Sequence, residues 1–206
     1  MTFREQGHPS EQGQVLTAVP FETFRKIPRL FREVVVTEKI DGTNAQIYIP
    51  HDEGSPMLVG SRNRWITPGK TTDNYGFAAW AYANEAALRR LGPGRHFGEW
   101  YGVGIARNYG LAERRWALFT QKELPEGLPA NVGKVPVLAT LPTPDTGRIE
   151  QVTIRLRQDG SVAVPGFMNP EGIVVFHKAS GQLFKYTLDG DALPKARPSP
   201  EEGIAA

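Results

Sequence analysis

Between two β-branched, alternating runs, VVVTEK and TNAQIYI, the chain reads Glu38-Lys39-Ile40-Asp41-Gly42-Thr43-Asn44. Asp-Gly between strands is a strong hairpin signal, and a lysine beside such a turn is ordinarily solvated. The same lysine has a second use, because its amine is a nucleophile that can form covalent intermediates. A free lysine keeps its proton up to a pKa of about 10.4, so that use requires nearby cations or desolvation. Arg62 and Lys185 are the cations that stand in comparable runs. Glu99 follows Gly98 and Glu171 precedes Gly172, each within an apolar stretch where an unpaired carboxylate is costly to bury. Each therefore needs a partner, either a structural cation or a ligand. Phe119, at the end of Trp-Ala-Leu-Phe, reads first as a core residue.

K-x-D-G alone recurs by chance in roughly one chain in twenty of this length, so its weight comes from the motifs on its C-terminal side. In order stand SRN at Ser61 to Asn63, FGEW at Phe97 to Trp100, WALF at Trp116 to Phe119, EGIVV at Glu171 to Val175 and LFKYT at Leu183 to Thr187. This ordered set resembles the motifs of the covalent nucleotidyltransferases, which comprise ATP-dependent DNA ligases, RNA ligases and mRNA capping enzymes. The resemblance spans roughly Glu38 to Thr187. With glutamate before the lysine and asparagine after Gly-Thr, the first motif is most similar to the nick-sealing RNA ligases of bacteriophages and the kinetoplastid editing ligases.

The resemblance implies an α+β fold, a ligase-type nucleotidyltransferase (ATP-grasp-like adenylation) domain with two antiparallel sheets flanking an ATP cleft. ATP is then a substrate, and Mg²⁺ or Mn²⁺ the cofactor. Lys39 would take AMP from ATP as a lysyl-AMP phosphoramidate. Glu38, Ile40, Asn44, Arg62, Glu99, Phe119, Glu171 and Lys185 would line the ATP site. Among these, Glu99 would hold the ribose, Glu171 would organise the metal, and both would be metal ligands. Phe119 would stack on the purine, Glu38 would accept from the adenine amine, and Asn44 and Arg62 would touch ribose or phosphate. The implied partner is RNA with 5′-phosphate and 3′-hydroxyl ends, free or as a nicked duplex, with a partner protein or a dimer supplying further contacts. One departure stands out: the family's last motif has two lysines separated by one residue, whereas this chain has Lys185 and then Thr187, so that Lys185 matches the first lysine or, in a shifted register, the second. Lys178 or an arginine is the candidate replacement.

The elements that must position these residues are mostly strands: REVVVTEK, TNAQIYI, MLVGSR, RHFGEWYG, RWALFTQ, QVTIRLR, EGIVVFH and LFKYT. Phe77, Trp80, Ala81, Ala87, Leu88 and Leu91 fall near helical spacing between a capping Thr72/Asp73 and the stop Gly92-Pro93. A shorter helix is expected near Pro20, with Phe21, Phe24 and Ile27 on one face.

With 206 residues, 40% of them hydrophobic and 22% charged, the chain has the balance of a soluble globular protein and room for one well-cored domain. Absence of cysteine excludes disulfides, thiolate zinc sites and thiol nucleophiles. No run approaches the ~18 apolar residues of a membrane span, and the start lacks a signal-peptide core, so a cytoplasmic protein is expected. A net charge of +2 excludes a general polycation. Two local basic groups, Arg25, Lys26, Arg29 and Arg32, and Arg89, Arg90 and Arg95, read first as solvated surface. The expected organisation is a loosely held segment 1–14, a nucleotidyltransferase domain 15–188 and a tail 189–206. That tail is too short for an oligonucleotide-binding barrel, which disfavours a DNA ligase or capping enzyme. A non-catalytic nucleotide- or nucleic-acid-binding module of the same fold is the rival of a different class. Intact Lys39, Glu99, Glu171 and Lys185 argue against it.

Overall fold

Stiff β-branched side chains fit a pleated surface, and Val34-Val35-Val36 opens the first strand in a computed structural model that describes residues 22–52 and 54–189. The elements run β1 (Val34–Lys39), β2 (Thr43–Ile49), β3 (Leu58–Gly60), α1 (Phe77–Ala83), α2 (Glu85–Leu88), β4 (Gly94–Gly102), β5 (Arg114–Leu118), β6 (Val132–Lys134), β7 (Val137–Leu141), α3 (Thr146–Asp159), β8 (Gly172–His177) and β9 (Gln182–Thr187). They form a four-stranded sheet in the order β7-β1-β8-β9 and a five-stranded sheet in the order β3-β2-β4-β5-β6. The two-sheet α+β architecture read from the sequence is present. One pairing departs from it, because β5 and β6 run parallel while the other pairs are antiparallel.

The larger core lies behind the five-stranded sheet. There Ile47, Val59, Trp100, Trp116 and Leu118 meet Phe77, Ala81 and Leu88 from the helices. Asp73 caps this helical segment as expected, its carboxylate accepting from the N–H groups of Ala78 (2.7 Å) and Ala79 (3.0 Å). Thr72 does not share that task; its hydroxyl donates to the Pro68 carbonyl at 3.3 Å. A second cluster of Ile40, Tyr101, Tyr109, Ala117 and Val135 fills the junction between the sheets. The segment from β6 to β7 stitches them together, since β6 belongs to one sheet and β7 to the other.

Two expectations change. QVTIRLR is part of α3, not a strand. Its β-branched content suggests a strand, but Ile149, Val152 and Leu156 recur at helical spacing and pack on Val36 and Ile173 of the four-stranded sheet. Asp145 caps the helix by accepting from the Arg148 N–H at 3.0 Å, and Gly160 ends it. Of the helix expected near Pro20, Pro20 and Phe21 lie outside the described residues, residues 22–29 have no regular structure, and Phe24 and Ile27 are exposed. The expectations for residues 1–14 and for the tail beyond 189 also lie outside the described residues. Among these, no helix is long and apolar enough to cross a membrane.

Candidate active site

Successive residues of a strand face opposite sides, so β1 turns Val35, Thr37 and Lys39 to one face and Val34, Val36 and Glu38 to the other. Register extends the first face to Val174 and Phe176 on β8 and to Leu183, Lys185 and Thr187 on β9. In the other sheet β2 and β4 place Asn44 opposite Glu99 and Gln46 opposite Phe97. Between these faces lies a cleft of about 830 Å³ whose walls include Lys39, Asn44, Arg62, Glu99, Phe119 and Val174.

Lys39 stands at the end of β1, opposite Gly172, and its Nζ lies 2.5 Å from Glu171 Oε2. Glu171 Oε2 is buried, and the contact it makes there is this ion pair with the Lys39 ammonium. Glu99 Oε1 accepts from the Gly42 N–H at 3.1 Å and Oε2 from Asn44 Nδ2 at 3.0 Å. Burial pushes the Glu99 carboxyl up to about 7; Lys39, Asn44 and Gly42 oppose the rise, and Glu171 adds to it. Each of the three ionic groups thus feels the other two.

Local sequence explains these placements. A Cβ on Gly42 would run into the Trp100 carbonyl, so glycine lets the lysine loop lie against β4. In Phe-Gly-Glu-Trp, a Cβ on Gly98 would sit 2.5 Å from Trp116 Nε1, so the large core indole occupies the space behind the strand that carries Glu99.

The glutamate before the lysine does not enter the cleft with its carboxylate. Glu38 is 1% exposed; its Oε1 accepts from Ser161 Oγ at 2.5 Å, and Oε2 accepts from the N–H groups of Val162 and Ala163, both at 2.8 Å. It ties the turn after α3 to β1, which corrects the expectation that its carboxylate reads the adenine amine. Ile40 touches the cleft but is 4% exposed and packs in the junction cluster. Phe119, half exposed at the end of β5, presents its ring to the cleft, and Arg62 reaches the cleft from the exposed loop after β3. Lys185 shares the cleft-facing register with Thr37 and Val174, one rung away from Lys39, although it is not among the residues that bound the cavity itself. Thr187 occupies the rung level with Lys39, the place of the family's second lysine if Lys185 matches the first. Lys178 borders the cleft and is ion-paired to Glu33.

Two residues that the sequence reading missed hold the lysine loop. Tyr109 Oη accepts from the Asp41 N–H at 2.8 Å, and Arg107 Nε lies 3.2 Å from Asp41 Oδ2. Arg107 also donates to the Asn169 carbonyl at 3.2 Å and to Asp189 at 2.6 Å. Both sit in Val103–Leu111, where Ala106, Asn108 and Tyr109 have positive φ. Only the short Gly-framed stretch GVGIARNYG hinted at a tight loop there.

The comparisons match this geometry. A family model described as RNA ligase matches residues 32–187. No curated protein matches the chain. Among solved structures, an apo form of Naegleria gruberi RNA ligase aligns with a TM-score of 0.55 and 21% identity over 76% of this chain and 50% of that one. A form with ATP and Mn gives 0.56 and 20% over 76% and 49%. A form with AMP and Mn gives 0.56 and 21% over 77% and 50%. The chain thus spans about half the length of these structures, and at such identity they establish the ligase nucleotidyltransferase fold. Because the matched segment takes in every motif from Glu38 to Thr187, the chain belongs to the RNA ligase family.

Proposed function

We propose that this chain is the adenylylating unit of an ATP-dependent RNA ligase, with residues 15–188 as the nucleotidyltransferase domain. The observation that carries this reading is Lys39 on the cleft face, paired with Glu171 and within the electrostatic reach of Glu99. Lys39 Nζ attacks the α-phosphorus of ATP; an N–P bond forms, the bond to pyrophosphate breaks, and the amine gives up its proton. A 5′-phosphate oxygen of RNA then attacks the same phosphorus and frees Lys39. Finally the 3′-hydroxyl attacks the activated 5′-phosphate, and AMP leaves as the phosphodiester forms.

Glu99 and Asn44 suit a ribose, Phe119 offers a ring face to the base, and Arg62 and Lys185 supply charge against phosphates. Two of the Naegleria structures carry ATP or AMP with Mn, and the residues here fit a divalent cation. Glu171 is a carboxylate that meets the Lys39 ammonium through Oε2, and Glu99 is a second carboxylate within its electrostatic reach. One or two carboxylates together with substrate phosphates are what Mg²⁺ ordinarily takes. Such a cation, bound by these two carboxylates, would supply charge against the phosphate oxygens. RNA with 5′-phosphate and 3′-hydroxyl ends, free or nicked, is the substrate in this reading.

The test is incubation with α-labelled ATP and Mg²⁺ or Mn²⁺, followed by a denaturing gel. The wild type should form an acid-labile AMP adduct, and Lys39→Ala and Lys39→Arg should form none. An adduct that survives on either variant would move the nucleophile elsewhere.

A further inference from the structure

The cleft face of the five-stranded sheet does not stop at Glu99. Moving outward along β4, its next cleft-facing residues are Phe97, opposite Gln46, and Arg95, opposite Tyr48. On β3, Gly60 and Leu58 continue the same two rungs. Trp65 lies over Gly60, where a Cβ would come within 3.0 Å of its indole. The Arg95 guanidinium is 5.1 Å from the Trp65 ring centroid and 5.5 Å from that of Tyr48, and its Nη1 donates to Gln46 Oε1 at 2.9 Å. Although aromatic, Phe97 is 49% exposed and Trp65 45% exposed. Arg62 and Arg64 are exposed on the loop between Gly60 and Trp65. Among the described residues, no carboxylate stands on these rungs beyond Glu99.

Exposed ring faces interleaved with arginines and free of carboxylates bind single-stranded nucleic acid, because bases stack on the rings while phosphates meet the cations. At ~3.4 Å per residue the strip from Glu99 to Arg95 is about 14 Å long, enough for a short run of nucleotides. It begins beside Asn44 and Glu99 and so leads directly to Lys39. We infer that this strip is the track that delivers a single-stranded RNA end to the cleft. Bases stack on Phe97 and Trp65, phosphates meet Arg64, and Arg95, held between two rings, keeps the platform flat. The inference rests on the ligase reading of the cleft; Phe97 and Arg62 border that cleft, while Trp65, Arg64 and Arg95 carry the strip beyond it.

The experiment measures binding of a fluorescently labelled single-stranded oligoribonucleotide to the full chain in low salt, alongside self-adenylylation with labelled ATP. Trp65→Ala and Arg95→Ala should each weaken RNA binding about tenfold, in line with the loss of one base-stacking contact. Both should leave adenylylation within about twofold, and Trp65→Phe should restore most of the affinity because a ring remains. Arg64→Ala should lessen the salt dependence of binding. An oligomer of abasic nucleotides should bind the wild type more weakly than the normal RNA. Unchanged affinity in folded Trp65→Ala and Arg95→Ala, or no RNA binding by the wild type, would overturn the track. Loss of RNA binding in the variants of a wild type that forms no adduct would instead support the track and sink the ligase reading.

Discussion

The two sheets share one cleft but differ in how firmly they are packed. Behind the five-stranded sheet, Trp80, Trp100, Trp116 and Phe77 form a ring cluster with centroids 4.9–6.2 Å apart, and the last five residues of β4 are buried. The four-stranded sheet has α3 behind it, and only Val36, Leu156 and Ile173 of that cluster are fully buried. Its edge strand β9 is exposed along most of its length. Local stability follows buried apolar contact, so the five-stranded sheet is the rigid platform and the outer part of the other sheet is the compliant side. The chemistry divides along that line. Glu99 and Asn44, which the proposed function assigns to the ribose, stand on the platform. Lys39 belongs to the lighter sheet, but at the end of β1 where Asp41 and Gly42 donate to Tyr109 and Glu99 of the platform side. The lysine of the proposed chemistry is thus held firmly by a sheet whose far edge is lightly packed.

The largest test of this contrast is Phe77→Ala, which removes a fully buried ring and should destabilise the protein by about 3–5 kcal/mol in denaturant unfolding. Phe184→Ala, at an exposed position of the edge strand β9, should change stability by no more than about 0.5 kcal/mol. Comparable losses at the two positions would erase the distinction.

A smaller effect sharpens the division within β1 itself. Glu38→Ala leaves the Val162 and Ala163 N–H groups without their acceptor and should cost about 1–3 kcal/mol of stability. The preference for ATP over GTP should not change. A lost preference with stability intact would put the carboxylate back at the base.

The smallest effect concerns pH. With its pKa at about 7, Glu99 is mostly protonated at pH 6 and mostly ionised at pH 8. If the ionised form holds the ribose or cation, adenylylation should rise about tenfold between those values, with Glu99→Gln removing the dependence. Stability should move the other way. Because the folded-state pKa lies above the unfolded value of 4.5, the native state binds more protons between pH 4.5 and 7, and stability declines as pH rises through that window. A flat pH profile in both measurements would mean that Glu99 stays ionised throughout.

Much of this molecule was legible in the residues. The strands of the motifs, the Asp73 cap and the two-sheet class follow from periodicity and turn chemistry, which are properties of short windows. The motif resemblance put Glu38 and Lys39 in one ATP site, whereas strand alternation turns their side chains to opposite faces. What alternation leaves open is which face meets the cleft and which meets a helix. That was decided by partners far away in sequence: Ser161 lies 123 positions from the Glu38 it bonds, and Tyr109 lies 68 from Asp41. The same holds for α3, whose β-branched stretch folds as a helix because its apolar side chains cover Val36 and Ile173. Local sequence determined which groups are present and how they alternate. Only packing decided which of them share a space, because burying a carboxylate or an apolar stripe depends on what the rest of the chain brings against it.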